Sequence, residues 1–381
     1  MSETSGAGLP GTPTTLFQHA LRLHRLTPDG PLFRSGEPFP GAERRRRQRG
    51  QPFDPSRGDA DAAKILDAYF LDTRVSPRQL ATELLDVPVS SRYDEHISAA
   101  ALRAPTARVR ETGRWLIRHG TGLAPVAVGL ALLAEVGTVD DIQLIQTIGL
   151  LSNAFGPLAV RALERLPGGV KALFWFAERV TAWGRVHAVD ALCRYVDDHP
   201  AVRPWLLRRA VDGDHLNGYF AAEVARVTML HEVIAQCGDD AEVVDHTGRI
   251  LHVMKHCEGM GTSLRHYPHA LVVLEAHVRH IGSLGPTAER YFAAATLAQY
   301  LAEEEPAWSD DAALKARWDK ARASYLALVH RADWCSTARE GLAAGDWRLT
   351  WLADSVALET RSVCLPQRQA ESRGTAHVRN T

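Results

Sequence analysis

Seven of the seventeen histidines fall between residues 246 and 280: His246, His252, His256, His266, His269, His277 and His280. His252 and His256 are four apart, so on a helix both imidazoles project from one face, a spacing that can hold two ligands on one metal ion. Cys257 and Glu258 follow directly, and His277 and His280 form an i, i+3 pair on the next expected helix. Two antiparallel helices would bring His252, His256, His277 and His280 to one Zn²⁺ or iron ion. Two readings compete with this. Histidines also fill helix junctions, and in such numbers they can make a surface pH-sensitive. Neither the Glu-after-His zinc-protease motif nor a carboxylate–histidine pair at the ferritin-like i, i+3 spacing is present.

Other residues could carry binding. Arg44, Arg45, Arg46, Arg47 and Arg49 form a basic cluster able to touch nucleic acid, an acidic protein or lipid headgroups, or simply to be solvated. Trp183, Arg185, His187 and Asp190 gather at one expected hairpin corner, where Trp183 packs and Asp190 faces water or pairs with Arg185 or Arg194. Trp347 and Trp351, four apart, share a helix face that either shields the end of the fold or docks a partner. Phe174-Trp175-Phe176, Trp308, Trp318 and Trp334 are expected as core anchors. The chain has no phosphate-binding Gly-rich motif and no Gly-x-Ser-x-Gly elbow.

The elements that must position these residues are helices. Ala-Val pairs at 127–128, 159–160 and 188–189 step by 32 and 29 residues, a period of stacked helical hairpins. The patterning predicts helices at 106–119, 124–136, 139–152, 157–166, 169–182, 185–197, 201–211 and 214–227, with Gly or Pro at nearly every junction, including Gly156-Pro157 and Gly184. A Pro- and Gly-rich stretch over 1–58 reads as a flexible arm, broken only by a short helical piece from Thr15 to Leu26. Capping helices occupy 59–105, one of them starting at Ser76-Pro77, where Ser is an N-cap and Pro the first helical residue. The repeats span 106–230. Less regular helices follow over 231–361, at 240–257, 267–282, 285–302, 310–332, 334–344 and 346–360, and a disordered tail covers 362–381.

The Ala-Val-x-Ala-Leu helices at 159–163 and 188–192, and Trp205-Leu206-Leu207-Arg208 followed by Gly213, Tyr219 and Phe220, resemble the HEAT-type α-solenoids, in particular the short-unit bacterial HEAT-like proteins. The resemblance covers about a third of the chain, and its period of roughly 30 residues is shorter than that of longer HEAT units. It implies an all-α fold, an α-solenoid of HEAT-like hairpins, and a scaffold that holds a protein or ligand. It carries over no catalytic residue.

Composition bounds the rest. The 381 residues carry 44 Lys plus Arg against 45 Asp plus Glu, so no global field favours nucleic acid or an anionic membrane. Only five of the 44 cations are lysines, namely Lys64, Lys171, Lys255, Lys315 and Lys320. Five cysteines, far apart and odd in number, argue against a disulfide framework and for reduced thiols in a cytoplasm. The N-terminus lacks the basic-then-apolar order of a signal peptide, and no run of about 18 apolar residues could span a bilayer. The expected function is non-catalytic: a helical-repeat groove holds a protein partner and the arginine arm adds electrostatic capture. The alternative is an enzyme, either metal-dependent at the histidines or nucleic-acid-directed like the HEAT-like DNA glycosylases, for which the helix 124–136 supplies no basic residue.

Overall fold

The computed structural model describes residues 14–40, 55–90, 95–307, 311–354 and 364–365. Among the described residues the fold is all-α, with no strand. The chain divides into two compact units, Met1–Val202 and Arg203–Thr381. No helix among the described residues is long and apolar enough to cross a membrane.

The first unit contains α1 (Leu16–Leu26), α2 (Pro55–Leu71), α3 (Pro77–Glu83), α4 (Glu95–Arg103), α5 (Thr106–His119), α6 (Leu123–Val136), α7 (Ile142–Gly149), α8 (Ser152–Glu164), α9 (Gly169–Ala177) and α10 (Ala182–Arg194). Local chemistry starts several of them. Thr15 and Ser76 each close a capping box with the glutamine three residues on, and Pro77 takes the first helical position, where its missing N–H costs nothing. From α2 onward each helix packs on its second neighbour: α2, α4, α6, α8 and α10 form one row, and α3, α5, α7 and α9 another. Contacts such as α5 with α6, α7 with α8 and α9 with α10 tie the rows together. Leucines, valines and alanines fill the layer between them, Leu116, Val128, Ile145, Phe155, Ala159, Leu163 and Leu192 all being wholly buried.

Glycines let the helices approach. A Cβ placed on Gly113 would meet the Gly129 carbonyl oxygen at 3.1 Å, and one placed on Gly129 would meet that of Gly113 at 3.0 Å, so α5 and α6 cross backbone to backbone. The same holds where α8 crosses α10: a Cβ on Gly156 would lie 2.5 Å from Gly184 Cα. Both of these glycines were expected to end helices. Instead α8 runs from Ser152 through Gly156 and Pro157 to Glu164. Pro157 is the sixth residue of that helix, just past the four N–H groups that have no intrahelical acceptor, so only one backbone bond is lost.

Within the expected flexible arm, residues 14–40 are packed rather than loose. Leu16 and Ala20 of α1 are wholly buried, and α1 lies on α5 and α7. A buried His19 ring nitrogen meets the Gly36 carbonyl at 2.9 Å, and Arg179 donates to the Pro28 carbonyl while lying over the Trp175 ring. The reason is apolar content: Leu16, Leu32 and Phe39 bury enough surface to hold a segment that its prolines deny continuous helix.

After α11 (Val202–Arg209), the second unit contains α12 (Ala221–Val227), α13 (Leu230–Gln236), α14 (Ala241–Met254), α15 (Ala270–Leu284), α16 (Ala288–Glu303), α17 (Ala312–Val329), α18 (Ala332–Ala343) and α19 (Trp347–Asp354). These helices, expected to be less regular, follow the same alternation. α12, α14, α16 and α18 pack in one row, α13, α15 and α17 in the other, and α19 folds back on α16 and α18. Trp318, Trp334 and Tyr325 are fully buried anchors of this unit. A disulfide joins Cys335 to Cys364, whose Cα atoms are 5.0 Å apart, while Cys193, Cys237 and Cys257 are free thiols. The expectation of uniformly reduced cysteines is thereby corrected: 29 residues separate the pair in sequence, and only the fold brings them together.

Candidate functional site

The four histidines expected to share a metal do not converge. Among the described residues no group of three or more His, Cys, Asp or Glu side chains is arranged to hold a metal ion. The two pairs are used separately. Nδ1 of His277, fully buried on α15, lies 2.8 Å from the Tyr325 hydroxyl of α17. That hydroxyl is also 3.2 Å from the Leu274 carbonyl. One hydroxyl hydrogen cannot serve both, so it goes to the carbonyl and the His277 Nδ1–H donates to the phenol oxygen. A ring nitrogen of His280 reaches the Ile234 carbonyl at 2.8 Å, fastening α15 to α13. The remaining histidines are also packing residues: His246 accepts from the Val211 N–H, His266 bonds Ser263, and His269 stacks on His231 with ring centroids 3.6 Å apart.

His252 and His256 do stay together, at the C-terminal end of α14, with ring centroids 5.7 Å apart. They begin a row of rings that crosses three helices. His252 lies 5.1 Å from Phe292 of α16, which in turn lies 6.0 Å from Trp347 and 5.9 Å from Trp351 of α19. Trp347 is 69% exposed and Trp351 51%, so the row ends on an open aromatic surface, with the Arg348 guanidinium over the Trp347 ring. Lys255 lies close to His252, both side chains reaching Thr296. It is buried, while Lys64, Lys171, Lys315 and Lys320 are exposed. Its Nζ has the Thr296 carbonyl at 3.4 Å and no carboxylate within ion-pair distance among the described residues.

Burial dominates the electrostatics. It pushes Lys255 from 10.5 down to about 7, with the more distant Glu303 carboxylate opposing. His252 is pushed to about 3 by burial and by the charges of Lys255 and His256, and His256 is lowered for the same reasons, with Glu303 pulling the other way. His277, buried beside His280 and Arg290, also falls to about 3. Near neutral pH both His252 and His277 are uncharged.

In the first unit, Trp183 and Arg185 part company. Arg185 is 7% exposed and donates to the Ala177 carbonyl at 2.7 Å, closing the C-terminal end of α9, so it presents no charge to a partner. Trp183 is half-buried, with His187 one turn on at 6.4 Å between ring centroids. These two begin a stripe along α10 that continues through Asp190 and Arg194. A matching stripe on the adjacent α8 consists of Asn153, Pro157 and Arg161, each half-buried between wholly packed neighbours, and ends at the half-buried Glu164. Charges along this face are largely matched. Arg194 binds Glu164 at 2.7 Å and Asp190 at 2.5 Å, and Arg165 binds Glu135 at 2.6 Å. The side-chain oxygen of Asn153 is buried without a hydrogen-bond partner among the described residues. Arg44, Arg45, Arg46 and Arg47 lie outside the described residues, as does Trp308.

These features define an all-helical protein of two-row packing, with a mixed-charge stripe in one unit and an aromatic row in the other. No family model matches the chain, and no curated protein or solved structure matches it significantly.

Proposed function

We propose that this chain is a non-catalytic binding protein of the HEAT-like α-solenoid kind, holding a segment of a protein partner along one helix row of its first unit. The second-neighbour packing of α2 to α10 supports the repeat reading, since each of these helices packs on the ones two places before and after it. One observation carries the binding reading. α8 and α10 present adjacent stripes of half-buried side chains, Asn153–Pro157–Arg161 and Trp183–His187, that combine an aromatic ring, an imidazole, a guanidinium and an amide. Trp183 supplies the apolar anchor that interfaces favour. The arginines 44–47 add electrostatic capture of an acidic partner.

The test is a photo-crosslinking residue at position 157 of the full chain, introduced in its own cells, with the adduct identified by mass spectrometry. A discrete protein adduct is expected, and Trp183→Ala should remove it without changing the unfolding free energy by more than about 1 kcal/mol. No adduct, or one indifferent to Trp183→Ala, overturns the proposal.

A further inference from the structure

Two neighbouring helices of the second unit, α13 and α15, are fastened to each other by histidines at both ends of α13, and the two fastenings answer protons differently. α13 is seven residues long and buries only Leu230 and Ile234. It lies between two left-handed backbone positions, Met229 at φ 54° and Gly238 at φ 61°. Glycine adopts that conformation freely, whereas methionine is strained in it. The Met229 side chain is exposed, so the strain is borne by the docking of α13 and not by packing of its own.

At the C-terminal end of α13, a ring nitrogen of His280 on α15 donates to the Ile234 carbonyl at 2.8 Å. An imidazole makes that bond charged or uncharged, so acid leaves it intact. At the N-terminal end, the His231 ring lies face to face on that of His269, the residue before α15, with centroids 3.6 Å apart and planes 2° from parallel. Two protons cannot share this contact, because imidazolium ions at that separation sit well inside the roughly 8–10 Å over which salt screens charge. His231 carries a further penalty. Its Nδ1 is buried with no hydrogen-bond partner among the described residues, so a proton added there is a charged donor with nothing to accept it.

We propose that α13 is a pH-operated flap: in mild acid the His231–His269 stack parts, and α13 swings outward about its His280 end, uncovering Leu230. Met229 then relaxes to an ordinary backbone conformation, which adds to the drive. Burial and the neighbouring His231 lower His269 from the ordinary 6.5, with Glu232 opposing. A lowered value means that the docked form binds fewer protons than the open one, so falling pH favours opening.

The surrounding charges leave this balance in place. Glu232 lies 3.8 Å from His231 Nε2, but its side chain is 60% exposed, and water weakens its hold on a protonated ring. Tyr267, edge-on to His269, is pushed by burial up to about 12 and stays neutral. On the packed elements, Glu223 pairs with Arg226 on α12, Asp240 at the start of α14 with Arg208, and Glu275 of α15 with Arg317 of α17. Arg279 of α15 acts on Cys237, at the opposite end of α13 from the stack.

The test is hydrogen–deuterium exchange of the full chain at pH 7.5, 6.5 and 5.5, read by peptide mass spectrometry and corrected for intrinsic exchange rates. Labelling times are kept far shorter than global unfolding allows. Exchange over residues 230–237 should rise at least about tenfold from pH 7.5 to 5.5, while α15 stays protected at every pH. His231→Phe keeps a stacked planar ring that takes no proton, and should cut that rise to less than about threefold. His269→Phe, the second variant, removes the repulsion between charges and should also blunt it. No acid response over 230–237, loss of protection in α15 along with α13, or an undiminished response in both variants overturns the proposal.

Discussion

His277 and Tyr325 share a hydrogen bond of 2.8 Å between two side chains that are each essentially inaccessible to solvent. Because the phenol also serves the Leu274 carbonyl, the pair links α15 to α17 through a proton whose place is fixed. Tyr325→Phe keeps the shape and removes the oxygen, leaving the His277 N–H and a carbonyl unpaired. A loss of about 1–3 kcal/mol in unfolding free energy is expected in urea titration. A loss below about 0.5 kcal/mol would show that the two rings do not depend on each other.

Acid should weaken the fold earlier than its carboxylates require. His252 and His277 have folded values near 3, below the ordinary 6.5, so the folded state binds fewer protons than the unfolded one. Their contribution is therefore complete above pH 6.5 and declines as pH falls from there toward 3. Each site adds a slope approaching roughly 1.4 kcal/mol per pH unit. Urea midpoints measured at pH 7, 6 and 5 should fall steadily, and His277→Gln should flatten that slope. A midpoint constant from pH 7 to 5 contradicts the assignment.

The crossing of α8 and α10 makes its own prediction. A methyl group at Gly184 would enter contact with the Ser152 side chain, which also accepts from the Gly184 N–H at 3.0 Å. Gly184→Ala should cost about 1–3 kcal/mol, as over-packing does. Gly30, with nothing within 4 Å of an added Cβ, is the matched control and should change by less than about 0.5 kcal/mol. Equal thermal midpoints for the two variants would mean that the helices do not approach so closely.

The disulfide can be counted directly. Thiol titration of the denatured chain should find three free thiols without reductant and five with it, since Cys193, Cys237 and Cys257 are free and Cys335 and Cys364 are joined. Cys335→Ser should lower stability by roughly 3–4 kcal/mol, from the entropy of the loop it releases. Five thiols without reductant would disprove the link.

Much of this architecture was legible. The Ser76-Pro77 start is a matter of local hydrogen bonding, and the α5 helix over 106–119 matches its apolar spacing residue for residue. What failed was the reading of glycine. Gly156 and Gly184 look like punctuation in one dimension, whereas their purpose is a contact between helices that no single segment contains. Short helices failed for a related reason. α13 buries only Leu230 and Ile234, too few positions to register a period, and it begins after Met229 in a left-handed conformation. The histidine concentration was a true anomaly, and of its readings the packing one fits the contacts: spacing along a helix says which residues share a face, not whether two faces meet.

Second-neighbour packing leaves a mark on how such a chain can change over generations. Apart from the α1 segment laid across α5 and α7, the helices from α2 to α10 pack mainly on near neighbours in sequence, so an added helix pair meets few existing interfaces. Length is then a free variable, adjustable by whole helix pairs. The mixed-charge stripe on α8 and α10 could be lengthened or shortened in the same whole-pair steps.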